Sequence, residues 1–301
     1  MATTTATTSS RTTTTTRGAF PLKFVLLAFA FTWTFWLLAA LEARGMISSL
    51  PVPALFLGAF GPMLAAVVLT AQESGRAGLR SLLGRVVRWR VAPFWYAVAL
   101  LGPIVLTLVA MALQLVLFGG QPPSLSAMAG TLPTVLVISL YMLIQVGIGE
   151  EIGWRGYALP KLQAGYSALV SSLIVGVIWF LWHLPVFFNP ATSYSNTPFW
   201  VFLIFLLPFA ILYTWVFNST GGSVLIVMIL HAVMNSVGQL WRAIPDGATT
   251  VSTTNVYLIQ AGLLWVGAII VVLVYGATNL SRKPKQVLPT ADSSEPQPRV
   301  Q

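Results

Sequence analysis

The chain has 301 residues, of which 56% are hydrophobic and only 8% are charged, and its formal net charge is +9. A soluble domain carries about a quarter charged residues, so this composition excludes an ordinary soluble enzyme and indicates an all-α, polytopic membrane protein. Cysteine is absent, which excludes disulfides and thiolate metal sites. Basic residues in a membrane protein are first of all topology signals, so the positive charge does not indicate a nucleic-acid partner.

The sequence predicts a tail, a membrane domain and a second tail. Residues 1–19 are a threonine-rich, low-complexity segment that predicts disorder, and no signal peptide precedes the first apolar segment. Residues 20–278 form the predicted transmembrane domain, and 279–301 form a predicted disordered basic tail. A hydrocarbon core about 30 Å thick requires about 20 apolar residues per helix, and eight segments meet this requirement. These predicted spans are 22–41, 50–71, 94–118, 131–157, 166–188, 199–217, 223–241 and 256–276.

Charge placement predicts the orientation of these spans. If the N-terminus is cytoplasmic, all of the 16 Lys and Arg residues except Arg44 and Arg242 fall in cytoplasmic segments. The positive-inside rule therefore favours eight spans in the plasma membrane with both termini in the cytoplasm. The arginine-rich segment 75–90 is compatible with two interpretations, an amphipathic helix on anionic lipid or a basic loop that only fixes topology.

A small set of ionisable residues lies inside the predicted spans. It comprises Glu150 and Glu151 in the segment GIGEEIGWRG, with the two histidines of the chain, His183 and His231. Charged groups at membrane depth cost a few kcal/mol and by default indicate function. Glu151 and Arg155 are spaced i, i+4 with the acid first, which predicts an ion pair that supports the helix. Glu150 is left unpaired on its own helix and is the reactive candidate.

Two further pairs of residues share helical faces with these groups. Trp179 and His183 lie on one face of WFLWHLP, and His231 and Asn235 lie on one face of HAVMN. Together with Glu150 they suit peptide hydrolysis, in which a carboxylate and one histidine activate water while the other histidine and an amide bind the oxyanion. Glu150, His183 and His231 also resemble a zinc ligand set with an open position, so the pattern is compatible with no cofactor or with one divalent metal.

In their order along the chain, these motifs resemble the CPBP family, which groups Rce1-type CAAX prenyl proteases with Abi proteins. The family pattern EExxxR, FxxxH and HxxxN matches Glu150 to Arg155, Trp179 to His183 with tryptophan in place of phenylalanine, and His231 to Asn235. The resemblance covers about 131–241, the catalytic half of the membrane domain.

The resemblance implies an intramembrane endopeptidase. Glu150, helped by His183, would activate water, His231 and Asn235 would stabilise the oxyanion, and Glu151 with Arg155 would hold the architecture. The implied partner is a membrane-associated peptide or protein within the lipid bilayer, either a prenylated CAAX-type tail or a bacteriocin or leader peptide. We expect the substrate to reach a water-accessible cavity from the cytoplasmic side or laterally from lipid.

Two alternatives belong to other classes of protein. A proton-coupled transporter would use Glu150 and the histidines as a relay, but it would need polar residues in several spans, and spans one, two, six and eight offer few. A catalytically silent immunity or scaffold protein would keep the fold without needing the site. The predicted spans also place His183 and His231 at different depths, so the two meet only if the 158–165 connection continues as helix or a span tilts or breaks.

Overall fold

The computed structural model describes residues 20–244 and 252–288, so the predicted tail 1–19 lies outside the described residues. The described residues form α-helices joined by short connections, two π-helical segments and two short 3-10 helices. The helices are α1 (Leu22–Ala43), α2 (Ala54–Gly58), α3 (Gly61–Val86), α4 (Pro93–Phe118), α5 (Leu125–Met142), α6 (Leu159–Gln163), α7 (Ala168–Trp182), α8 (Leu184–Phe187), α9 (Phe199–Ser219), α10 (Val224–Ser236) and α11 (Thr253–Tyr275).

The predicted all-α membrane fold is confirmed. Within the described parts of the chain, seven helical segments are long and apolar enough to cross a membrane, and the shorter apolar helix α7 makes the count about eight. Helix α7 has 15 residues, which is about 22 Å at 1.5 Å per residue and shorter than the predicted span 166–188. It ends at Trp182, with His183 as its C-cap, because Pro185, which follows in the sequence, has no backbone N–H to continue the helical hydrogen bonding.

The segment that carries both glutamates is helical but not regular. Helix α5 continues without a loop through the π-helical segments Leu143–Glu151 and Trp154–Ala158 into α6, giving a continuous segment of 39 residues. A π-helical turn rotates the side chains that follow it and is frequent at functional sites. The connection after residue 158 is helical through Gln163, which is one of the arrangements under which His183 and His231 meet.

Two glycines set how closely this π-helical segment approaches α3. A Cβ on Gly149 would lie 2.8 Å from the carbonyl oxygen of Ala59, and a Cβ on Gly153 would lie 2.5 Å from that of Pro62. Both distances are too short for real atoms, so only glycine permits this backbone contact. Small residues serve the same purpose at many membrane helix interfaces. The contact fixes the position of the segment that carries the adjacent glutamates.

The chain after α11 folds back onto one end of the helix bundle. We call residues 277–288 the C-terminal clasp. The side chain of Asn218 donates a hydrogen bond to the carbonyl oxygen of Asn279 at 2.8 Å, and that of Gln163 donates to the carbonyl oxygen of Gln286 at 2.8 Å. The clasp therefore joins the end of α9 and the end of α6 through buried amide groups.

The clasp corrects the prediction of a disordered tail at 279–301. Leu280 is fully buried and Ser281 is nearly so, because the clasp packs its apolar and small residues under neighbouring helices. The polar composition of 279–301, which includes four cations, suggested disorder, and the pairing of the backbone of this segment with buried amides was not visible in the sequence. Residues 289–301 lie outside the described part of the chain.

The arginine-rich segment 75–90 is helical through Val86, with a kink at Gly75 where φ is 54°. Arg85 does not point to solvent as in either predicted arrangement but is buried. Its guanidinium donates to the carbonyl oxygens of Gly156, at 3.4 Å, and of Val287, at 3.1 Å. Arg85 thus connects the clasp to the π-helical segment, while the lipid contact stays a prediction.

The close glycine contact predicts a specific sensitivity of the fold. We expect Gly153→Ala to destabilise the protein by about 1–3 kcal/mol, because the added methyl group overpacks the contact with Pro62. The melting temperature in detergent, followed by tryptophan fluorescence, should fall. Gly84→Ala is the matched control, since a Cβ there meets nothing within 4 Å. Equal melting temperatures for the two variants would contradict the packing argument.

Candidate active site

A single cavity collects the four side chains that the sequence proposed for chemistry. The cavity has a volume of about 610 Å³, and Glu150, His183, His231 and Asn235 all line it. The π-helical segment, the end of α7 and the middle of α10 supply these residues. Glu150 and both histidines are buried, whereas Asn235 is exposed to the cavity. The structure therefore brings together groups that are up to 85 positions apart, from 150 to 235.

Glu150 receives its hydrogen bond from another helix. As predicted, it has no partner on its own helix, and its Oε2 accepts a hydrogen bond from Nε1 of Trp179 at 2.7 Å. Trp179 is itself buried, so this bond is shielded from water. The sequence motif indicated only an aromatic residue at this position. The indole N–H, which a phenylalanine would lack, is the group that contacts the Glu150 carboxylate.

Glu151 is the centre of a buried cluster of charges. Its Oε1 accepts from Nη1 of Arg155 at 2.9 Å, which confirms the i, i+4 ion pair predicted from spacing. The same oxygen accepts from Nδ1 of His231 at 2.8 Å, a contact between helices that the sequence did not reveal. Glu151 therefore fixes the ring of His231, and Nε2 is the nitrogen of that ring left without a hydrogen bond among the described residues.

The second histidine is fixed in the same way by a different group. Nδ1 of His183 donates to the carbonyl oxygen of Trp179 at 2.7 Å, because a carbonyl can only accept. When Nδ1 carries the proton of the neutral ring, Nε2 is a hydrogen-bond acceptor. Asn235 uses one amide hydrogen to bond the carbonyl oxygen of His231 at 3.1 Å, so its other amide hydrogen stays available to a ligand.

Arg155 is held between two aromatic rings. Its guanidinium carbon lies 4.6 Å from the ring centre of Trp179 and 4.8 Å from that of Tyr213. Such cation–π contacts stabilise a cation that has little access to water. Tyr213 also lies edge-on to His231, with ring centres 5.5 Å apart, and it lines the cavity. Sequence reasoning missed Tyr213, because one tyrosine in an apolar span carries no motif.

An aromatic wall forms the rest of the cavity. Phe202, Phe205 and Phe209 of α9 line it together with Tyr194 and Tyr257. Tyr194 lies in the 3-10 helix between α8 and α9, and burial raises its pKa well above the ordinary value, so its hydroxyl stays protonated. The wall is largely apolar with hydroxyl groups at intervals. It suits a ligand that presents a hydrophobic group beside a peptide.

The structure does not assemble the metal site that the sequence left open. Among residues 20–244 and 252–288, no three His, Asp or Glu side chains are grouped closely enough to hold a metal ion. In Glu150, His183 and His231 one polar atom each is already hydrogen-bonded to protein. These bonds leave Oε1 of Glu150 and Nε2 of each histidine free among the described residues, and a hydrogen-bonded Nδ1 is also usual in zinc-ligating histidines. No step below is derived through a metal.

The fold and the site together define a class of protein. A polytopic helical membrane protein in which a buried carboxylate, two buried imidazoles and an amide line one cavity has the composition of an intramembrane hydrolase. Comparison with known proteins shows which proteins the chain is similar to. Residues 132–237 match the family model described as type II CAAX prenyl endopeptidase, Rce1-like. A relative described as CAAX prenyl protease 2, from Methanococcus maripaludis, is 27% identical over 257 residues, which are 81% of this chain and 93% of the relative.

These matches confirm the resemblance that the three motifs indicated. Over residues 132–237 the chain is similar to Rce1-like type II CAAX prenyl endopeptidases, and this segment coincides closely with the predicted catalytic half.

The bond from Trp179 to Glu150 predicts the effect of restoring the family's phenylalanine. In Trp179→Phe the aromatic ring over Arg155 is retained, but Glu150 loses its described donor. A hydrogen bond to a charged group contributes about 1.5–3 kcal/mol, so we expect kcat/KM to fall about tenfold or more. Peptidase assays in detergent would measure this. Trp200→Phe, at an exposed position, is the control. Unchanged kcat/KM in Trp179→Phe would show that the bond does not position Glu150.

Proposed function

We propose that Glu150 is the general base of a peptide hydrolysis that needs only protein side chains. The observation that carries the proposal is that Glu150, His183, His231 and Asn235 line one cavity with their remaining polar atoms free of protein hydrogen bonds. Water bound at Glu150 would give a proton to the carboxylate while its oxygen attacks the peptide carbonyl carbon. The proton would then pass to the amide nitrogen as the C–N bond breaks, which yields a carboxylic acid and an amine.

The two histidines take different parts in this scheme. His183 has Nδ1–H bonded to a carbonyl, so Nε2 of the neutral ring accepts a hydrogen bond and suits the holding of a water molecule. His231 has Nδ1 bonded to Glu151, so Nε2 donates to an oxyanion only when the ring is an imidazolium. The Glu151 carboxylate stabilises that cation. The second amide hydrogen of Asn235 completes a pair of donors for the oxyanion.

Glu151 and Arg155 support the site without reacting. Both are fully buried, and each bonds to the other, so neither charge is left without an opposite charge. Removing one of them would leave an unpaired buried charge, which is strongly destabilising. We assign them, with Trp179, to holding Glu150 and His231 in place.

The substrate we propose is a membrane-anchored peptide whose scissile bond lies close to its anchor. The name of the archaeal relative specifies a CAAX prenyl substrate, and the aromatic wall beside Glu150 suits such an apolar anchor. A bacteriocin or leader peptide held by a hydrophobic segment presents the same chemistry. No described feature favours the transporter or the silent scaffold. We further propose a plasma-membrane location with both termini in the cytoplasm.

Replacement of the proposed base gives the direct test. We expect Glu150→Gln to reduce kcat by about a thousandfold or more, since the general base supplies roughly 10²–10⁴ of the rate and water would lose its acceptor. Purified protein would be assayed against a library of membrane-anchored peptides. Glu42→Gln, a carboxylate in the α1–α2 region outside the cavity, is the control. Equal rates for Glu150→Gln and the parent would remove Glu150 from this role.

Treatment of the protein with a chelator distinguishes this metal-free scheme from a mechanism that uses a metal ion. We expect the parent to keep its full rate after treatment with a chelator and to gain nothing from added zinc. Loss of activity on chelation, with recovery on adding zinc, would show that the ligand set absent from the structure forms in solution.

The proposed role of Asn235 as an oxyanion donor predicts a partial loss of activity when its side chain is removed. We expect Asn235→Ala to lower kcat by about 10²–10³-fold with little change in KM, because a donor of this kind acts in the transition state. Steady-state kinetics on one cleaved peptide would measure the two constants separately. Gly130→Ala, at an exposed position outside the cavity where the added methyl group has open space, serves as the control. A rise in KM alone would assign Asn235 to substrate binding instead.

A further inference from the structure

One surface of the protein, separate from the cavity, combines cations with exposed apolar side chains. We call residues 76–90 the basic arm, and no residue of this segment lines the cavity. The arm follows the apolar first half of α3 and precedes α4, and both of these helices are long and apolar enough to cross a membrane. Because it joins two consecutive spans, the arm lies at a surface of the bilayer.

A kink and two inward contacts set the position of the arm. Gly75 has φ 54° and ψ −148°, a conformation that residues with a Cβ rarely adopt, and the helix changes direction there. Beyond the kink, Leu82 is buried, and Arg85 donates to the carbonyl oxygens of Gly156 and Val287. These contacts fix the arm against the helix bundle, so one face of it points inward and the opposite face points outward.

Hydrogen bonds also hold the residues that follow the helical part of the arm. The carbonyl oxygen of Arg88 accepts from the hydroxyl of Ser223 at 2.6 Å, and that of Trp89 accepts from the hydroxyl of Tyr96 at 2.7 Å. The arm is therefore held in one position along its length, and it presents the same side chains outward throughout.

The outward face carries arginines first and apolar residues second. Arg76, Arg80, Leu83 and Val87 are spaced by four, three and four residues, so they share one face of the helix. Both arginines are exposed, and Leu83 and Val87 are 57% and 65% exposed. Trp89, which follows the helix, is 60% exposed. Three large apolar side chains thus lie uncovered beside the cations.

The exposed cations of the arm have no acidic partner in the part of the chain that the structure describes. The ion pairs there involve Arg155, Lys161 and His231. Arg90 lies against an aromatic ring instead, with its guanidinium carbon 5.1 Å from the ring centre of Trp89. The described residues therefore provide no counter-charge for the exposed arginines of the arm, which are Arg76, Arg80, Arg88 and Arg90.

A bilayer of anionic phospholipid matches both parts of this face. Guanidinium groups attract lipid phosphates, while the apolar side chains of an interfacial helix enter the boundary between headgroups and acyl chains. Water alone would leave the apolar side chains of the arm uncovered, and soluble surfaces rarely expose such a patch. A soluble polyanion such as a nucleic acid would pair with the arginines and still leave those side chains exposed.

We infer that the basic arm is a docking surface for anionic phospholipid, with its arginines at the headgroups and Leu83, Val87 and Trp89 at the acyl boundary. Of the two interpretations of the segment 75–90, this selects the helix on anionic lipid over the loop that only fixes topology. The inference goes beyond the proposed hydrolysis and does not depend on it, because the arm is separate from the cavity.

The absence of cysteine from the chain permits a test of which lipids surround the arm. The full-length variant Leu83→Cys, labelled with a fluorophore, would be placed in phosphatidylcholine nanodiscs with a nitroxide-bearing quencher lipid, either phosphatidylglycerol or phosphatidylcholine. Since one arginine near a bilayer surface favours anionic lipid by about fivefold, we expect the anionic quencher to be about twofold or more as effective as the zwitterionic one. Equal quenching by the two lipids would overturn the inference.

A label at Val116→Cys provides the matched control position. Val116 is 81% exposed near the end of α4, and no Lys or Arg occurs from residue 91 to residue 154. We expect the two quencher lipids to act equally there. A preference for the anionic lipid as large as that at Leu83→Cys would show that the whole protein attracts this lipid, and the arm would lose its assignment.

Removal of the charges of the arm tests the cause of the preference. In the Leu83→Cys protein, the combined changes Arg76→Gln, Arg80→Gln and Arg90→Gln should abolish the preference for the anionic quencher. Raising the salt concentration should reduce it without any substitution, because salt screens exposed charges. A preference that persists under both treatments would contradict the inference.

A second set of substitutions removes the same charge from elsewhere. Lys23→Gln, Arg282→Gln and Lys283→Gln together replace three exposed cations outside the arm, and we expect this variant to keep the preference. Equal losses in the two triple variants would assign the effect to net charge and overturn the inference. Melting temperatures in detergent would check that both variants fold like the parent.

A soluble acidic partner would give a different result. If the fluorophore on Leu83→Cys responds to added polyglutamate while the two quencher lipids act equally, the arm binds an acidic polypeptide in place of the bilayer, and the inference fails. We expect no response to polyglutamate in nanodiscs that contain phosphatidylglycerol, because the lipid already occupies the face.

Discussion

The bonds to the buried carboxylate of Glu151 are the interactions on which the rest of the site depends. One oxygen of this group accepts from Arg155 on its own segment and from His231 on α10. Buried charges are tolerated only when opposite charges and hydrogen bonds compensate them, so this cluster holds two helices in one relative position. The Arg155 guanidinium lies against Trp179, whose indole bonds Glu150. The Glu151 carboxylate therefore positions His231 directly and Glu150 through Arg155 and Trp179.

The backbone around this cluster is irregular and packs closely against a neighbouring helix. Successive π-helical segments carry the two glutamates and Arg155, and glycines on the same segment bring its backbone against the start of α3. A regular helix with larger side chains at Gly149 and Gly153 would stand further from α3. Arg85 bonds the clasp at one end of the bundle, whereas the lining of the cavity includes the first turn of α11 and the first half of α9 at the other end.

Much of the site could be predicted because its residues are conspicuous in an apolar chain. Helical spacing predicted the Glu151–Arg155 pair and the unpaired state of Glu150 on its own helix. Those contacts are local, and local geometry follows from the number of residues between two positions. Sequence analysis did not predict the contacts whose partners come from distant segments of the chain. The bond from Trp179 to Glu150, the role of Glu151 in fixing His231, and Tyr213 against Arg155 all join different helices. The clasp was misread as disorder for the same reason, because its stability comes from Asn218 and Gln163 rather than from its own composition.

The sequence by itself determined that this is a helical membrane protein, and it identified Glu150 and the two histidines as the candidate residues for chemistry. The length of apolar segments, the small number of ionisable residues in them and the spacing of residues along a helix can all be read from the sequence, so no coordinates are needed to recognise them. Only the tertiary structure decided which side chains bond to which, and at which end of the bundle the cavity lies. Those properties depend on how α7, α9, α10 and α11 pack around the π-helical segment, and packing is set by contacts between residues far apart in the chain.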